Sequence, residues 1–466
     1  MVELAWPIVV IQLLQVAYNL ADTFWLGQFS GNAVAAISLA FPLVFFLISV
    51  GGGFTTAGSI LVAQFTGADS EGSAGKVAAQ TLGFVVSLSA VLGVVGHFVT
   101  GDMLALLPAD PETAALVVPK AAEYMEVFFL GMPALFGFFV FSSLMRGYGN
   151  TRTPMIVMFV SVAINVILDP FLIFGYGPFP EMGIAGAAVA TIFARAVAAV
   201  IGVYVLFYTN AGPEIELSQF YPDFSMISRI VRVGTPSAAE QSTTALAMIT
   251  LTAMVASFPP AVVGAFGLGN RLISLVFLPA MGLGRATNTM VGQNLGAKNT
   301  ERAERAVWLA AKFAAAVLFG VAIVAAVFPE PIVSVFLAPG SENAAEIIDY
   351  GTTYLRIRSV EFVFVGILQV MLGAFRGAGN TKTSMVISMI ALWLGRVPTV
   401  YVFAFVLGWG ATGIWVGMAL GNIVGAIAAA LWFTRGTWKN TIVDADDDES
   451  DGDSDTPPED DQPDPA

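Results

Sequence analysis

Long, continuous apolar runs follow one another along most of this chain, separated by short stretches of charge, Gly and Pro. That single feature narrows the possible folds more than any other. Twelve runs can be read, over about 4–28, 33–63, 75–99, 119–145, 154–175, 183–208, 229–257, 262–290, 303–328, 346–375, 384–408 and 412–434. Each is long enough to cross a hydrocarbon core of about 30 Å as a helix. They do not alternate apolar with polar and are too long for barrel strands. With 56% hydrophobic and 12% charged residues, 466 residues could not cover a soluble surface. The expectation is an all-α polytopic membrane protein with 12 transmembrane helices.

The net charge of −14 does not describe the helical part. Twelve acids and no bases lie in the tail 444–466, "DADDDESDGDSDTPPEDDQPDPA", which leaves 22 acids against 20 bases for the rest. Such a tail has nothing to bury and is expected to be disordered and solvated, in keeping with a high-salt habitat. There are no cysteines, so disulfide and thiol chemistry are excluded. The first apolar run lacks a basic leader and a small-residue cleavage site. It reads as a retained helix and not a signal peptide.

Charge orients the runs. With the N-terminus inside, the cytoplasmic segments carry Lys76, Arg146, Arg152, Arg229, Arg232, Lys298, Arg302, Arg305, Arg376, Lys382, Arg435 and Lys439, against Lys120 outside. The positive-inside rule then places both termini in the cytoplasm of a cell membrane.

The chain also repeats itself. "LMRGYGNTRTPM" (144–155) returns as "AFRGAGNTKTSM" (374–385), and "SILVAQFTGA" (59–68) as "NTMVGQNLGA" (288–297). Pro7 pairs with Pro236, Tyr124 with Tyr354, and "GIAGAAVAT" (183–191) with "GATGIWVGM" (410–418). Six spans per copy is an even number, so the copies share one orientation. They form two six-helix lobes related by a pseudo-two-fold axis along the membrane normal. The expected division is an N-terminal lobe 1–208, a cytoplasmic linker 209–228, a C-terminal lobe 229–436 and an acidic tail 437–466. Gly147 and Gly149 suit a tight turn in the repeated loop, and Arg146 and Arg152 anchor it on the cytoplasmic side.

Intramembrane polar residues collect in the first lobe. The first run carries Gln12, Gln15, Tyr18, Asn19 and Asp22 on one helical stripe, and the fifth carries Ser161, Asn165 and Asp169 at i, i+4, i+8. Both aspartates fall in the outer half of the membrane. An intramembrane carboxylate costs about 2.5–3.5 kcal/mol on insertion scales, so each is a functional candidate. Two carboxylates with amide and hydroxyl oxygens suit a hard monovalent cation, and they can equally share a proton. The second copy has Ala247, Met248 and Leu251 where the first has Tyr18, Asn19 and Asp22. It has Trp393 and Val397 where the first has Asn165 and Asp169. The polar set is therefore not a requirement of the repeat fold.

Taken together, the Pro-bearing first helix with Asp22, the "RGxGNT" loops, "VGQNLGA" and the six-plus-six plan resemble the multidrug and toxic compound extrusion (MATE) family. The resemblance covers about 1–436, and "NVILDP" looks most like the archaeal, DinF-like branch. It implies cation-coupled export of cationic or amphipathic organic compounds, with the cation at Tyr18, Asp22, Asn165 and Asp169 and with Thr191 as a further candidate. It implies no cofactor beyond Na⁺ or H⁺ as coupling ion, no nucleic-acid partner and a monomer in the lipid bilayer.

Glu240, Arg271, Glu361 and Arg396 are two acids and two bases in the second lobe. They are expected to balance as structural ion pairs, with a secondary coupling role open for the acids. Arg195 is expected to lie too deep to neutralise Asp22 and Asp169, and His97 to sit at the outer interface. No GxxxxGK[ST] motif is present, so an ion gradient would supply the energy. A lipid-linked oligosaccharide flippase, favoured by Arg195, Arg271 and Arg396, is the alternative. An intramembrane enzyme lacks its catalytic residues.

Overall fold

A computed structural model of the chain describes residues 2–105, 115–336 and 344–439. The acidic tail beyond 439 lies outside the described residues. Among those residues there is no strand, and helices occupy nearly all of the chain. The first half comprises α1 (Val2–Phe29), α2 (Gly31–Gly67), α3 (Glu71–Ala105), α4 (Val118–Leu130), α5 (Met132–Tyr148), α6 (Arg152–Phe174) and α7 (Gly183–Tyr208). The second comprises α8 (Phe224–Ala256), α9 (Pro260–Gly296), α10 (Thr300–Val327), α11 (Pro329–Ser334), α12 (Ala344–Ser359), α13 (Phe362–Gly377), α14 (Thr381–Met389), α15 (Val397–Tyr401) and α16 (Gly410–Phe433).

Two of the twelve expected spans are not single helices. The run at 119–145 is the pair α4–α5, bent by 56°, and the run at 346–375 is the pair α12–α13, bent by 51°. The first bend has a clear cause. Gly131 sits at the junction, and Pro133 removes an N–H from the opening of α5. The second has no proline, and Glu361 occupies the junction instead. Among the described residues nine further helices are long and apolar enough to cross a membrane, which makes eleven spans with the two pairs. The remaining expected span, 229–257, is the single 33-residue helix α8. It is long enough but too polar to qualify on composition, because Glu240, Gln241 and a Ser-Thr-Thr run interrupt its apolar stretch. The run at 384–408 is continuous but irregular. π-Helical turns at Ile390–Arg396 and Val402–Val406 flank α15, where Pro398 cannot supply its N–H to the ladder.

The repeated "RGxGNTxT" stretch is a helix stop followed by a helix start. Gly149 (φ 101°) and Gly379 (φ 76°) take the left-handed conformation that a side chain disfavours. Their N–H groups bond the carbonyls of Arg146 and Arg376, and the next amides, Asn150 and Asn380, bond those of Met145 and Phe375. The Asn Oδ1 atoms then accept from the amides of Thr153 (3.1 Å) and Thr383 (3.3 Å), capping α6 and α14. One eight-residue phrase thus reverses the chain twice.

The halves pack as two lobes. One large core runs from Ile11 to Ile215 and takes in only Ile230 and Val233 from α8. Two further cores fill the second half, joined from the first half by Ala5, with Leu4 packed against them. Contacts between lobes concentrate on the first halves of α1 and α8 and the second halves of α2 and α9. Gln64 Nε2 donates to the Gly377 carbonyl (3.0 Å), and its repeat partner Gln293 donates to the Gly147 and Tyr148 carbonyls (both 3.2 Å). Thr289 donates to the Arg146 carbonyl (3.0 Å), and Arg285 to Gln12 (3.1 Å). The opposite halves of the same helices are open, with Leu20, Phe24, Phe41, Leu246, Met248 and Leu275 each about half exposed. The result is a cleft between the lobes, closed at one end.

The connection between lobes is tied down as well. Gln80 of α3 donates to the carbonyls of Gln219 and Tyr221 (both 2.6 Å), and its Oε1 accepts from the Asp223 amide. Asp223 caps α8 by accepting from the Ser225 and Met226 amides, and it pairs with Lys76 at 3.0 Å. Burial pushes the Asp223 carboxyl up. The Met226 amide and Lys76 outweigh that and hold it below the ordinary aspartate value. A depressed carboxylate contributes stability above its unfolded value and loses it as pH falls through the folded one. Asp223→Ala should therefore weaken this corner by about 0.5–2 kcal/mol. Amide exchange over 215–226 should rise in the variant at neutral pH, and in the wild type only when acidified below the ordinary aspartate range.

Candidate functional site: an acidic pocket in the first lobe

Three helices bring the predicted site together. α1 supplies Tyr18 and Asp22 one turn apart, α6 supplies Asn165 and Asp169 one turn apart, and α7 supplies Thr191. Asp169 immediately precedes Pro170, which lacks the N–H that would bond the carbonyl four residues earlier and loosens α6 beside the carboxylate. All five side chains are buried: Asp22 is 9% exposed, Thr191 5%, Tyr18 3%, and Asn165 and Asp169 0%. Asp22 lies next to both Asp169 and Asn165, and Tyr18 next to Thr191.

What these groups lack is partners. Asn165 Nδ2 donates to Asp169 Oδ1 at 3.1 Å. Tyr18 OH, Asp22 Oδ1, Asn165 Oδ1, Asp169 Oδ2 and Thr191 Oγ1 are all buried with no hydrogen-bond partner among the described residues. Buried polar atoms are otherwise nearly always satisfied, and a buried charge without a partner is costly. Five unused oxygens converging on one place form a donor set for a hard cation or a proton.

The one base nearby is held elsewhere. Arg195 donates from Nη2 to Gln15 Oε1 (2.8 Å) and from Nη1 toward Met158 Sδ (2.9 Å), with its Cζ 4.9 Å from the Tyr18 ring centre and 5.1 Å from that of Phe138. It makes no salt bridge to Asp22 or Asp169. The rest of the polar stripe on α1 diverges. Gln12 reaches across to Arg285, and Asn19 accepts from Gln15 (3.2 Å) on the exposed side. Ser161 donates to the Ala194 carbonyl (3.1 Å) and fastens α6 to α7. His97 bonds the Glu126 carbonyl (3.1 Å), away from the pocket.

The repeat-equivalent positions in the second lobe are apolar and filled. Ala247 is 0% exposed and Leu251 3%, while Trp393 donates to the Thr243 carbonyl. The second lobe's acids have partners, but not those expected. Glu240, 3% exposed, pairs with Arg376 (2.6 Å) and accepts from Ser384 (3.1 Å) and Ser388 (2.5 Å). Glu361 pairs with Arg358, one turn earlier, and accepts from Asn422 (3.0 Å). Of the two bases expected to balance them, Arg271 is exposed, and Arg396 forms no salt bridge among the described residues. The expectation failed on Arg376, which was placed in a loop but turns back into the protein. It also failed on Arg358, which lies one turn before Glu361 on the same face.

The described residues hold no group of three or more His, Cys, Asp or Glu side chains placed for a metal. Comparisons with known proteins agree with the architecture. The MatE family model matches residues 7–171 and again 236–402. The chain is similar to a probable multidrug resistance protein NorM of Thermotoga maritima, with 31% identity over 95% of this chain and 93% of that protein. It is 28% identical to an FAD transporter of Shewanella oneidensis, over 88% of each. It also superposes on a multidrug resistance MATE family transporter of the MOP superfamily in an outward-facing conformation. That match has a TM-score of 0.84 and 27% identity, and covers 94% of this chain and 96% of the other. Two matches to one family model, bracketing the two halves of a two-lobe helical membrane protein, place the chain in the MATE family: it is a multi-pass membrane transporter of the multidrug-efflux kind, not an enzyme.

Proposed function

We propose that this protein is a secondary antiporter that exports cationic or amphipathic organic compounds in exchange for Na⁺, or alternatively H⁺, by alternating access. The observation that carries this reading is the set of five unpartnered oxygens on Tyr18, Asp22, Asn165, Asp169 and Thr191. Two carboxylates with one nearby arginine, which forms no salt bridge to either, create a strong preference for one cation or proton from solution. Its arrival cancels one of the pair's two negative charges and changes how α1, α6 and α7 pack, and the positions of the lobes follow from that packing.

The proposed units are the lobes 1–208 and 229–436, the linker 209–228 and the acidic tail 437–466. With the charge-biased segments in the cytoplasm of a cell membrane, the closed end of the cleft faces the cytoplasm and the open end faces outward. The outward-facing relative supports this orientation. An ion from outside then meets the acidic pocket in this state, and its binding favours release of substrate to the same side. The apolar walls of the cleft suit flat organic cations. The protein would work as a monomer, because two lobes of one chain already enclose the path.

A second reading, a flippase for a lipid-linked anionic substrate, draws support from Arg146, Arg285 and Arg376. At the closed end Arg285 lies within electrostatic range of both Arg146 and Arg376, and of the three Arg376 is the one that pairs with an acid, Glu240. Liposomes decide between the two readings. Export of a cationic dye should follow an inward Na⁺ gradient and not a pH gradient alone. Movement with the pH gradient only would name H⁺. Stationary dye under both gradients would overturn the antiporter in favour of the flippase.

A further inference from the structure

Buried charge in the second lobe does not balance. Glu361 (0% exposed) takes both Nε and Nη2 of Arg358 (2% exposed) on Oε1, and Asn422 on Oε2. Arg396 is close enough to feel both Arg358 and Glu361 but makes no salt bridge to the carboxylate. Arg396 Nε and Nη2 and Arg358 Nη1 are buried N–H donors with no acceptor among the described residues. Trp415, 0% exposed, adds an indole N–H in the same condition. Its ring stands edge-on to Tyr354 at 4.7 Å, while Arg358 Cζ lies 5.3 Å from the Tyr354 ring centre on its own helix. The Tyr354 hydroxyl donates to Asn270 (2.9 Å) and accepts from none of these donors. Two guanidiniums facing one carboxylate leave one positive charge and several donors unmatched, which a low-dielectric interior does not tolerate.

Geometry marks the place twice more. Arg358 and Glu361 straddle the bend between α12 and α13, and Arg396 closes the π-helical segment Ile390–Arg396 just before Pro398. Departures from α geometry of this kind accompany functional sites. Tyr354 is the repeat partner of Tyr124, which in the first lobe stands within range of Asp22 and Asp169. The same corner of the repeat is thus lined by spare acceptors in one lobe and spare donors in the other.

We propose that the second lobe binds a small monovalent inorganic anion of the chloride class between Arg358 and Arg396, with the Trp415 indole N–H as a further donor. One negative charge brings the two arginines and Glu361 to neutrality. Arg358, Glu361, Tyr354 and Trp415 are buried while Arg396 is partly exposed, surroundings that favour a small ion over an organic anion. The bound ion stabilises the bend between α12 and α13 and the π-helical segment against it.

The test is thermal unfolding of the purified full chain in neutral detergent. Sodium is held constant while chloride replaces gluconate, which is too large for the site. The wild-type melting temperature should rise saturably, by about 2–5 °C, as expected for a ligand that binds only the folded state. Arg396→Met removes the surplus charge and leaves the Arg358–Glu361 pair, so its melting should not respond to chloride. Wild-type crystals soaked in bromide should show an anomalous peak between Arg358 and Arg396, which decides the matter even if the variant does not fold. A wild type indifferent to chloride, an undiminished response in Arg396→Met, or bromide bound elsewhere would each overturn the site. Stabilisation by anionic lipid but not by chloride would also overturn it, and would assign the donors to a lipid headgroup.

Discussion

Replacing Asp169 with Asn, or Asp22 with Asn, should reduce gradient-driven dye export by about 5- to 150-fold, the range of a coupling free energy of about 1–3 kcal/mol. Each substitution keeps shape and hydrogen-bonding capacity and removes one charge from a pocket whose only nearby base is already engaged by Gln15. Folding should not suffer. The charge being removed is unpaired and buried, so melting temperature should stay level or rise while transport falls. That combination is diagnostic of a functional carboxylate. The control is Glu240→Gln, where the carboxylate is saturated by Arg376, Ser384 and Ser388. There melting temperature should fall, because Arg376 loses its counter-charge. Paired transport and melting curves for the three variants check the result. A melting loss in Asp169→Asn as large as that in Glu240→Gln would make the first-lobe pocket structural.

The second large effect concerns the closed end of the cleft. A methyl group on Gly67 would lie 2.0 Å from the Gln293 carbonyl oxygen, and one on Gly296 would lie 1.9 Å from that of Gln64. Both obstacles are backbone atoms of the opposite lobe, so neither can swing aside. Gly67→Val or Gly296→Val must push the lobes apart there. Overpacking of this kind costs about 1–3 kcal/mol, which shifts a two-state balance about 5- to 150-fold away from the closed arrangement. The chain has no cysteine, so a single introduced thiol reports directly. Thr289→Cys, whose hydroxyl bonds the Arg146 carbonyl across the closed end, should react slowly with a water-soluble maleimide. In the Gly67→Val background it should react at least several times faster. Equal rates in the two backgrounds would mean that the close approach of α2 and α9 does not hold the cleft shut.

Much of this architecture is written in the sequence because a bilayer leaves few choices. Long apolar runs must be helices, and an even number of them in a duplicated chain must give two like-oriented lobes. The acidic pocket was legible for a related reason. Carboxylates are rare in such helices, and the second copy, with Leu251 and Val397 in their place, showed that the fold does not require them. The pairing of charges in the second lobe was not legible. Arg358 and Glu361 are three apart, a readable spacing, but nothing between them breaks a helix by composition. That spacing sets them on one helical face in any case, and only the structure shows that both are buried there. Arg376 ends α13, where a long side chain can reach out to headgroups or back inward, and only the position of Glu240 on another helix decides which. Gln64 and Gln293 stand out in the repeat alignment as equivalent residues. That each would bond a carbonyl of the opposite lobe depends on how the lobes meet, which no local pattern encodes.

The reciprocal bonding of those glutamines reaches back to the origin of the chain. Each lobe donates a Gln amide to the same helix-ending Gly carbonyl of the other, at 147 and at 377. That is how an isologous contact between two identical subunits is built, with residue i meeting j and j meeting i. A six-helix ancestor could have closed on a second copy of itself through the same bonds. In such a homodimer, any charge introduced into one interior appears in both. Joining the copies in a single polypeptide kept the symmetric contact and released the interiors from that identity, so one could become acidic while the other became basic.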